Sequence, residues 1–200
     1  MAETVTPDDY FVAGLDLLAD EGPNGVTVAS LFRRLGVTKG SFYHHFGGTP
    51  DFMVRLLRHW EGQEEQLLKE AQVRAERDRP TEVAKLAATW AVRHETETAV
   101  RALARTDPVA GQVLRRVDAR REENLHRLFV HLGMDPQRAT VLARVGMAIL
   151  IGVQHGDGPV DRRRLQAMLG EYQRWVEHVA TSADQPGVRA IRRDGVCSTD

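Results

Sequence analysis

With 200 residues the chain is long enough to bury a core, as one domain or as a small domain joined to a larger one. A formal net charge of −1 and a pI near 6.7 exclude a protein that coats nucleic acid regardless of sequence, though not one with a local basic face. The single cysteine, Cys197, excludes an intrachain disulfide framework and a thiolate metal cluster.

The first ten residues, MAETVTPDDY, are acidic and lack the basic-then-apolar run of a signal peptide. No apolar stretch approaches a membrane span; the longest, around Ala148-Ile149-Leu150-Ile151, lies between Gly146 and Gly152. These features predict a soluble, cytoplasmic protein with no membrane partner.

In chain order, nearly every informative segment has helical period. From Pro7 to Asp20 an apolar face of Tyr10, Phe11, Leu15, Leu17 and Leu18 follows Asp8 and Asp9 in the first turn. Gly22-Pro23-Asn24-Gly25 ends this helix. Thr27 is placed as the N-cap of a second, short helix carrying Val28, Ala29, Leu31, Phe32 and Leu35, and Gly36 closes it. Thr38 then caps a third helix, which turns Phe42 and Phe46 inward at i, i+4. Gly47-Gly48 breaks the pattern, and Thr49-Pro50-Asp51 restarts it as cap, first-turn proline and acid.

The fourth helix is predicted from Pro50 to about Arg77, with a second half charged all round, and Arg79-Pro80 stops it. Helical pattern resumes from Thr81 to about Thr106, with a break near Thr96. Further helices are expected over Pro108–Leu132, Pro136–Val153, and from an Asp161 cap through Leu165, Met168, Leu169, Tyr172, Trp175, Val176 and Val179. Beyond Ala180 the composition predicts a disordered tail. The fold expected is all-α, with about nine helices: a helix-turn-helix domain at 1–48, a helical ligand-binding and dimerisation domain at 49–181, and the tail at 182–200.

Three helices with a tight glycine-containing turn between the second and third describe a helix-turn-helix, whose last helix enters the major groove. That helix must show small and polar residues outward. Lys39, Gly40 and Ser41 meet the demand, with a donor for guanine and two residues small enough for close approach. Tyr43 and His44 fall at the groove edge, where hydroxyl and imidazole N–H groups bond phosphate oxygens. The helix end capped by Thr27 is a further phosphate site. Between Val26 and Phe46 stand Arg33, Arg34 and Lys39 and no acid, yet up to Trp60 acids outnumber bases. So few cations give weak binding from one module, so the reading requires a dimer.

The run VTVASLFRRLGVTKGSFYHHFGGTPDFMVRLL resembles the DNA-binding domain of TetR-family transcriptional regulators. The similarity covers Pro7 to Leu57 and rests on the capped short helix, Gly-Val-Thr, a small-residue recognition helix, an aromatic stretch ending Tyr-x-x-Phe, and a fourth helix. The resemblance implies that Thr27, Tyr43 and His44 contact phosphates while Thr38, Lys39, Gly40 and Ser41 face the groove. Many members carry a lysine at the start of the fourth helix, where this chain has Thr49-Pro50.

The resemblance further implies a homodimer on a palindromic double-stranded DNA operator, released by a small-molecule effector, more in the manner of a repressor than an activator. The dimer is expected through the helices near 136–153 and 161–180, where small residues (Ala139, Ala143, Gly146, Ala148) alternate with larger ones. Candidate ligand contacts are Trp90, His94, Arg101, Asp118, Arg121 and Met147, which mix apolar and polar groups. Enzymatic readings find little support. His94-Glu95 begins a zinc-binding HExxH, but Thr98 stands where the second histidine belongs. Neither a phosphate-cradling GxxxxGK[ST] nor a Gly-x-Ser-x-Gly elbow is present, and no cofactor or metal is expected. The rival reading is a helical protein-interaction module of the same fold that has lost operator binding.

Overall fold

A computed structural model describes residues 5–75, 94–155 and 162–182. Among them the chain is all-helical, with eight α-helices against the nine or so expected. Helix α1 (Pro7–Glu21) begins at a capping box: Thr6 N–H donates to Asp9 Oδ2 at 2.7 Å, and the Thr6 hydroxyl accepts from Asp9 N–H. A 3₁₀ turn, Pro23–Gly25, leads to α2 (Val28–Leu35), where Thr27 and Ser30 form a second capping box. Gly36 closes α2 at φ 67°, a left-handed geometry that glycine adopts at little cost, and so makes the tight turn into α3 (Lys39–His45).

Helix α4 (Thr49–Ala75) starts one residue earlier than expected. Thr49 is the first residue of the helix rather than its cap, with Phe52 N–H already bonded to the Gly48 carbonyl at 3.0 Å, and the Asp51 carboxylate reaches back to accept from Gly47 N–H at 3.0 Å. Helix α5 (His94–Leu103) runs unbroken through Thr96, where a break was expected; a buried i, i+4 pair, Glu97 and Arg101, ties its successive turns together. Hydrogen-bonded turns end it, and Asp107 caps α6 (Pro108–His131) by accepting from Val109 and Ala110 N–H. Asp135 does the same for α7 (Pro136–Gln154), and α8 (Arg162–Ser182) completes the described chain. The expected Asp161 cap, the Thr81 start and the tail beyond Ser182 lie outside the described residues.

The first core is aromatic and joins α1 to α4. Tyr10 meets Phe42 and Phe46 edge-on at ring-centroid distances of 5.8 and 5.4 Å, and Phe46 meets Phe52 at 5.0 Å. Gly14 is what lets α1 lie so close to α4: a Cβ there would fall 2.7 Å from Phe52 Cζ. This core continues past Trp60 into Val100 of α5 and Val113 and Val117 of α6, so the first four helices rest directly on the next two.

A second core joins α6, α7 and α8 through Leu125, Phe129, Leu142, Leu150, Tyr172 and Val176. Burial pushes the Tyr172 hydroxyl above its ordinary pKa, and it donates to the Leu142 carbonyl. Of the four small residues of α7 expected at a dimer face, Ala148 is exposed and the other three are not. Ala139, Ala143 and Gly146 are buried within the protomer, and a Cβ at Gly146 would meet the Tyr172 ring at 3.1 Å. They serve internal packing, because residues three and four apart share the face on which Leu142 and Met147 also turn inward. The outward face carries Ala148 with larger groups: Val141 of α7 and Met168 and Trp175 of α8 are exposed.

Candidate nucleic-acid interface

Helices α2 and α3, joined at Gly36, form the helix-turn-helix, and the fold sorts the opening run of α3 by its side-chain directions. Phe42 is fully buried and Phe46 nearly so, which leaves Thr38, Lys39, Gly40, Tyr43 and His44 together on the exposed face. Thr38 stands at the N-cap position but makes no side-chain cap bond. Lys39 leans toward Tyr43, its Nζ 5.6 Å from the ring centroid, a cation–π arrangement that carries the ammonium along the outer edge of the helix. Tyr43 is half exposed and stands edge-on to Phe42, so its ring is anchored while its hydroxyl end is free to reach an outside acceptor.

Ser41 departs from the expected groove set. It is half-buried, and its Oγ accepts from the Tyr10 hydroxyl at 2.8 Å, which turns this side chain toward α1. Thr27 is exposed, with its hydroxyl 2.8 Å from Ser30 Oγ and accepting from Ser30 N–H at 3.1 Å. The cap uses that one amide and leaves the other first-turn amides of α2 to an outside acceptor, the arrangement that favours an anion. Of the local cations, Arg34 is tied to Asp20 at 2.8 Å, and its hydrogen bond to that carboxylate raises the guanidinium pKa further. Local positive charge on this face therefore rests chiefly with Lys39 and Arg33, both exposed.

Two supports were not legible from the run itself. One is the Tyr10–Ser41 bond. The other is Arg55 of α4, which donates to the His45 carbonyl at the end of α3 at 2.7 Å. His45, between the exposed His44 and the buried Phe46, lies 3.2 Å from the Val5 carbonyl and edge-on to Tyr10, and so ties down the segment before α1.

The candidate ligand residues divide. Trp90 and the side chain of His94 lie outside the described residues. Met147 sits in the second core. Arg101, Asp118 and Arg121 come together in one buried network. Arg101 holds Asp118 with two bonds of 2.7 and 2.8 Å, reaches Glu97 at 2.8 Å and donates through Nε to Gln154. Arg121 donates to Glu97 and to Glu64, each at 2.6 Å. Burial alone would raise the Glu97 carboxyl, but the guanidinium groups of Arg121 and Arg101 hold it below its ordinary value of 4.5. The network joins α4, α5, α6 and α7. Arg121 Nε, Gln154 Nε2 and the Thr98 hydroxyl in the same region are buried without a hydrogen-bond partner.

On the far side of the molecule, Val145, Ile149, Ala167, Met168, Glu171, Tyr172 and Trp175 line an open, mostly apolar cleft of about 580 Å³ between α7 and α8. Among the described residues, no helix is long and apolar enough to cross a membrane.

Residues 11–55 match the family model of bacterial regulatory proteins, tetR family. No curated protein matches the chain in sequence. Among solved structures, a transcriptional regulator from Rhodococcus sp. Rha1 is similar at a TM-score of 0.70 and 17% identity, covering 87% of this chain and 97% of that one. A transcriptional regulator of the TerR/AcrR family from Aquifex aeolicus VF5 gives 0.65 and 14%, covering 86% and 99%. The multidrug binding protein EbrR, solved with malachite green, gives 0.53 and 21%, covering 83% and 96%. The matched segment runs from α1 through both helices of the turn into the start of α4, so residues 11–55 carry the helix-turn-helix domain of tetR-family regulators, and the described helices share the fold of these solved regulators.

Proposed function

We propose that this protein is a homodimeric, ligand-responsive repressor that binds a palindromic operator through 1–48, with 49–181 serving the effector and the dimer. The observation that carries this reading is the exposed set Thr38, Lys39, Gly40, Tyr43 and His44 on a helix whose opposite side is buried in an aromatic core. A rigid backing with a polar, small-residue front is what groove reading demands. Thr38, Lys39 and Gly40 face the bases in this reading. Tyr43, His44 and the α2 end at Thr27 hold phosphates, and Ser41 fixes the helix against Tyr10. No catalytic role is assigned, in keeping with a family of regulators.

The exposed apolar groups of α7 and α8 support dimerisation, since a surface of this kind is normally covered. Two such helices from each subunit make a self-complementary bundle. Helix α4 runs from the reading head to Glu64, where Arg121 couples it to α5 and α6. An effector that prefers one position of α4 changes DNA affinity by its differential binding, with coupling of about 1–3 kcal/mol. That EbrR was solved with malachite green makes an organic ligand a reasonable class to screen.

The test begins with selection of DNA from a random pool, followed by fluorescence anisotropy at two salt concentrations. Saturable binding to a palindrome is expected, steeply weakened by salt. Lys39→Ala should relax sequence choice, whereas Tyr43→Ala should weaken all sites alike. Failure to select any sequence would sink the reading and favour the protein-interaction alternative.

A further inference from the structure

The recognition helix α3 has only seven residues, and Thr38 lends it no side-chain cap. A helix so short is marginal by itself, so its direction must be imposed by its surroundings. At its C-terminal end the last carbonyls have no partner within the helix, and the dipole there is negative. Arg55 of α4 answers both needs. Its Nη1 donates to the His45 carbonyl at 2.7 Å, and its guanidinium carbon lies 4.8 Å from the Phe46 ring centroid and 5.9 Å from that of Phe11. One turn earlier on α4, Asp51 accepts from Gly47 N–H at 3.0 Å and stands 4.0 Å from Arg55. Arginine and aspartate thus grip the loop between α3 and α4 from both sides, one by its carbonyl and one by its amide.

We propose that Arg55 is a positioning residue for sequence recognition: it fixes the angle of α3 on α4 and does not itself bind DNA. The proposal rests on the DNA-binding reading given above. The planar guanidinium matters because it hydrogen-bonds the carbonyl while lying near two aromatic faces, which an ammonium does poorly. A motion of α4 therefore reaches the reading helix through a stiff corner rather than a flexible loop.

The alternative role is a direct phosphate contact, since the Arg55 side chain retains 37% exposure. Salt dependence separates the two. Arg55→Met keeps length and apolar bulk but removes charge and donor. Its affinity for DNA selected by the unaltered protein should fall about tenfold, as befits loss of a charge-assisted hydrogen bond. Binding to random-sequence DNA should stay within about twofold, with the salt slope unchanged. Arg55→Lys should remain severalfold below the unaltered protein on the selected DNA, and this variant carries the test if Arg55→Met does not fold by circular dichroism.

Equal losses on both DNAs with a salt slope reduced by about one per contact, and full rescue by lysine, would overturn the proposal in favour of a phosphate contact. Unchanged binding by either folded variant would overturn it outright. If the unaltered protein selects no DNA, the functional reading fails first and the positioning role falls with it.

Discussion

The two ends of helix α4 are held by opposite chemistry. At the helix-turn-helix end, α4 lies in a core of edge-on, tilted and stacked aromatic rings, where Phe11, Phe42, Phe46 and Phe52 make apolar contacts. Farther along, Glu64 enters a buried ionic network with Glu97, Arg101, Asp118 and Arg121. The first arrangement gains chiefly from water exclusion. The second joins charges whose desolvation is offset only while every partner stays in place. A regulator gains from this division. In the function proposed above, the DNA-facing end needs one fixed geometry, whereas the effector end needs a contact set that a bound molecule can rearrange.

The largest expected effect comes from breaking the ionic end. Arg121→Met leaves Glu64 and Glu97 buried without their shared guanidinium and should cost about 3–5 kcal/mol in chemical denaturation. A loss below about 1 kcal/mol would mean that the network contributes little and that the contrast between the two ends is overstated. At the aromatic end, Gly14→Ala places a methyl 2.7 Å from Phe52 Cζ and 3.2 Å from Leu56 Cδ1. Overpacking of this kind should cost about 1–3 kcal/mol, and the loss should be the same at pH 7 and pH 5 because no charge is involved.

Acid is the gentlest probe and the one that best separates the ends. The pKa of Glu97 is lowered in the folded protein, so its contribution is fully present above the unfolded value of 4.5. It is lost as the pH falls through the lower, folded value. A denaturation series from pH 7 downward should therefore show no loss from this group until below about pH 4.5, and Arg121→Met should flatten the later decline. An equally steep decline in Arg121→Met would assign the acid response to other carboxylates.

Much of the local structure was legible in advance because its causes lie within a few residues. Pro7, Pro108 and Pro136 stand at the starts of their helices as their fixed φ requires, and Asp107 and Asp135 cap the two that follow them. Gly36 marks the turn, and Thr27 caps α2. Where the pattern misled, a neighbour had intervened: the backbone of Gly48 opens α4 one residue before the expected Thr49 cap, and Tyr10 holds the Ser41 expected to face the groove. Ala139, Ala143 and Gly146 of α7 misled for another reason. Periodicity shows that they share a stripe, but whether that stripe meets Tyr172 or a second subunit depends on where α8 lies.

The sequence by itself determined that this chain is helical, where most of its described helices begin and end, and that residues 27–46 carry a helix-turn-helix pattern. Those properties follow from propensity, capping and side-chain period, which act over one or two turns. Only the tertiary structure decided that Arg55 grips the end of the recognition helix, that Ser41 turns inward, and that Arg101, Asp118 and Arg121 neutralise one another's neighbours rather than standing apart. Each of these is a pairing between helices, 10 to 57 positions apart in the chain for the hydrogen bonds at issue. Hydrogen bonds and ion pairs act only at contact, and contact between distant segments is set by how whole helices pack.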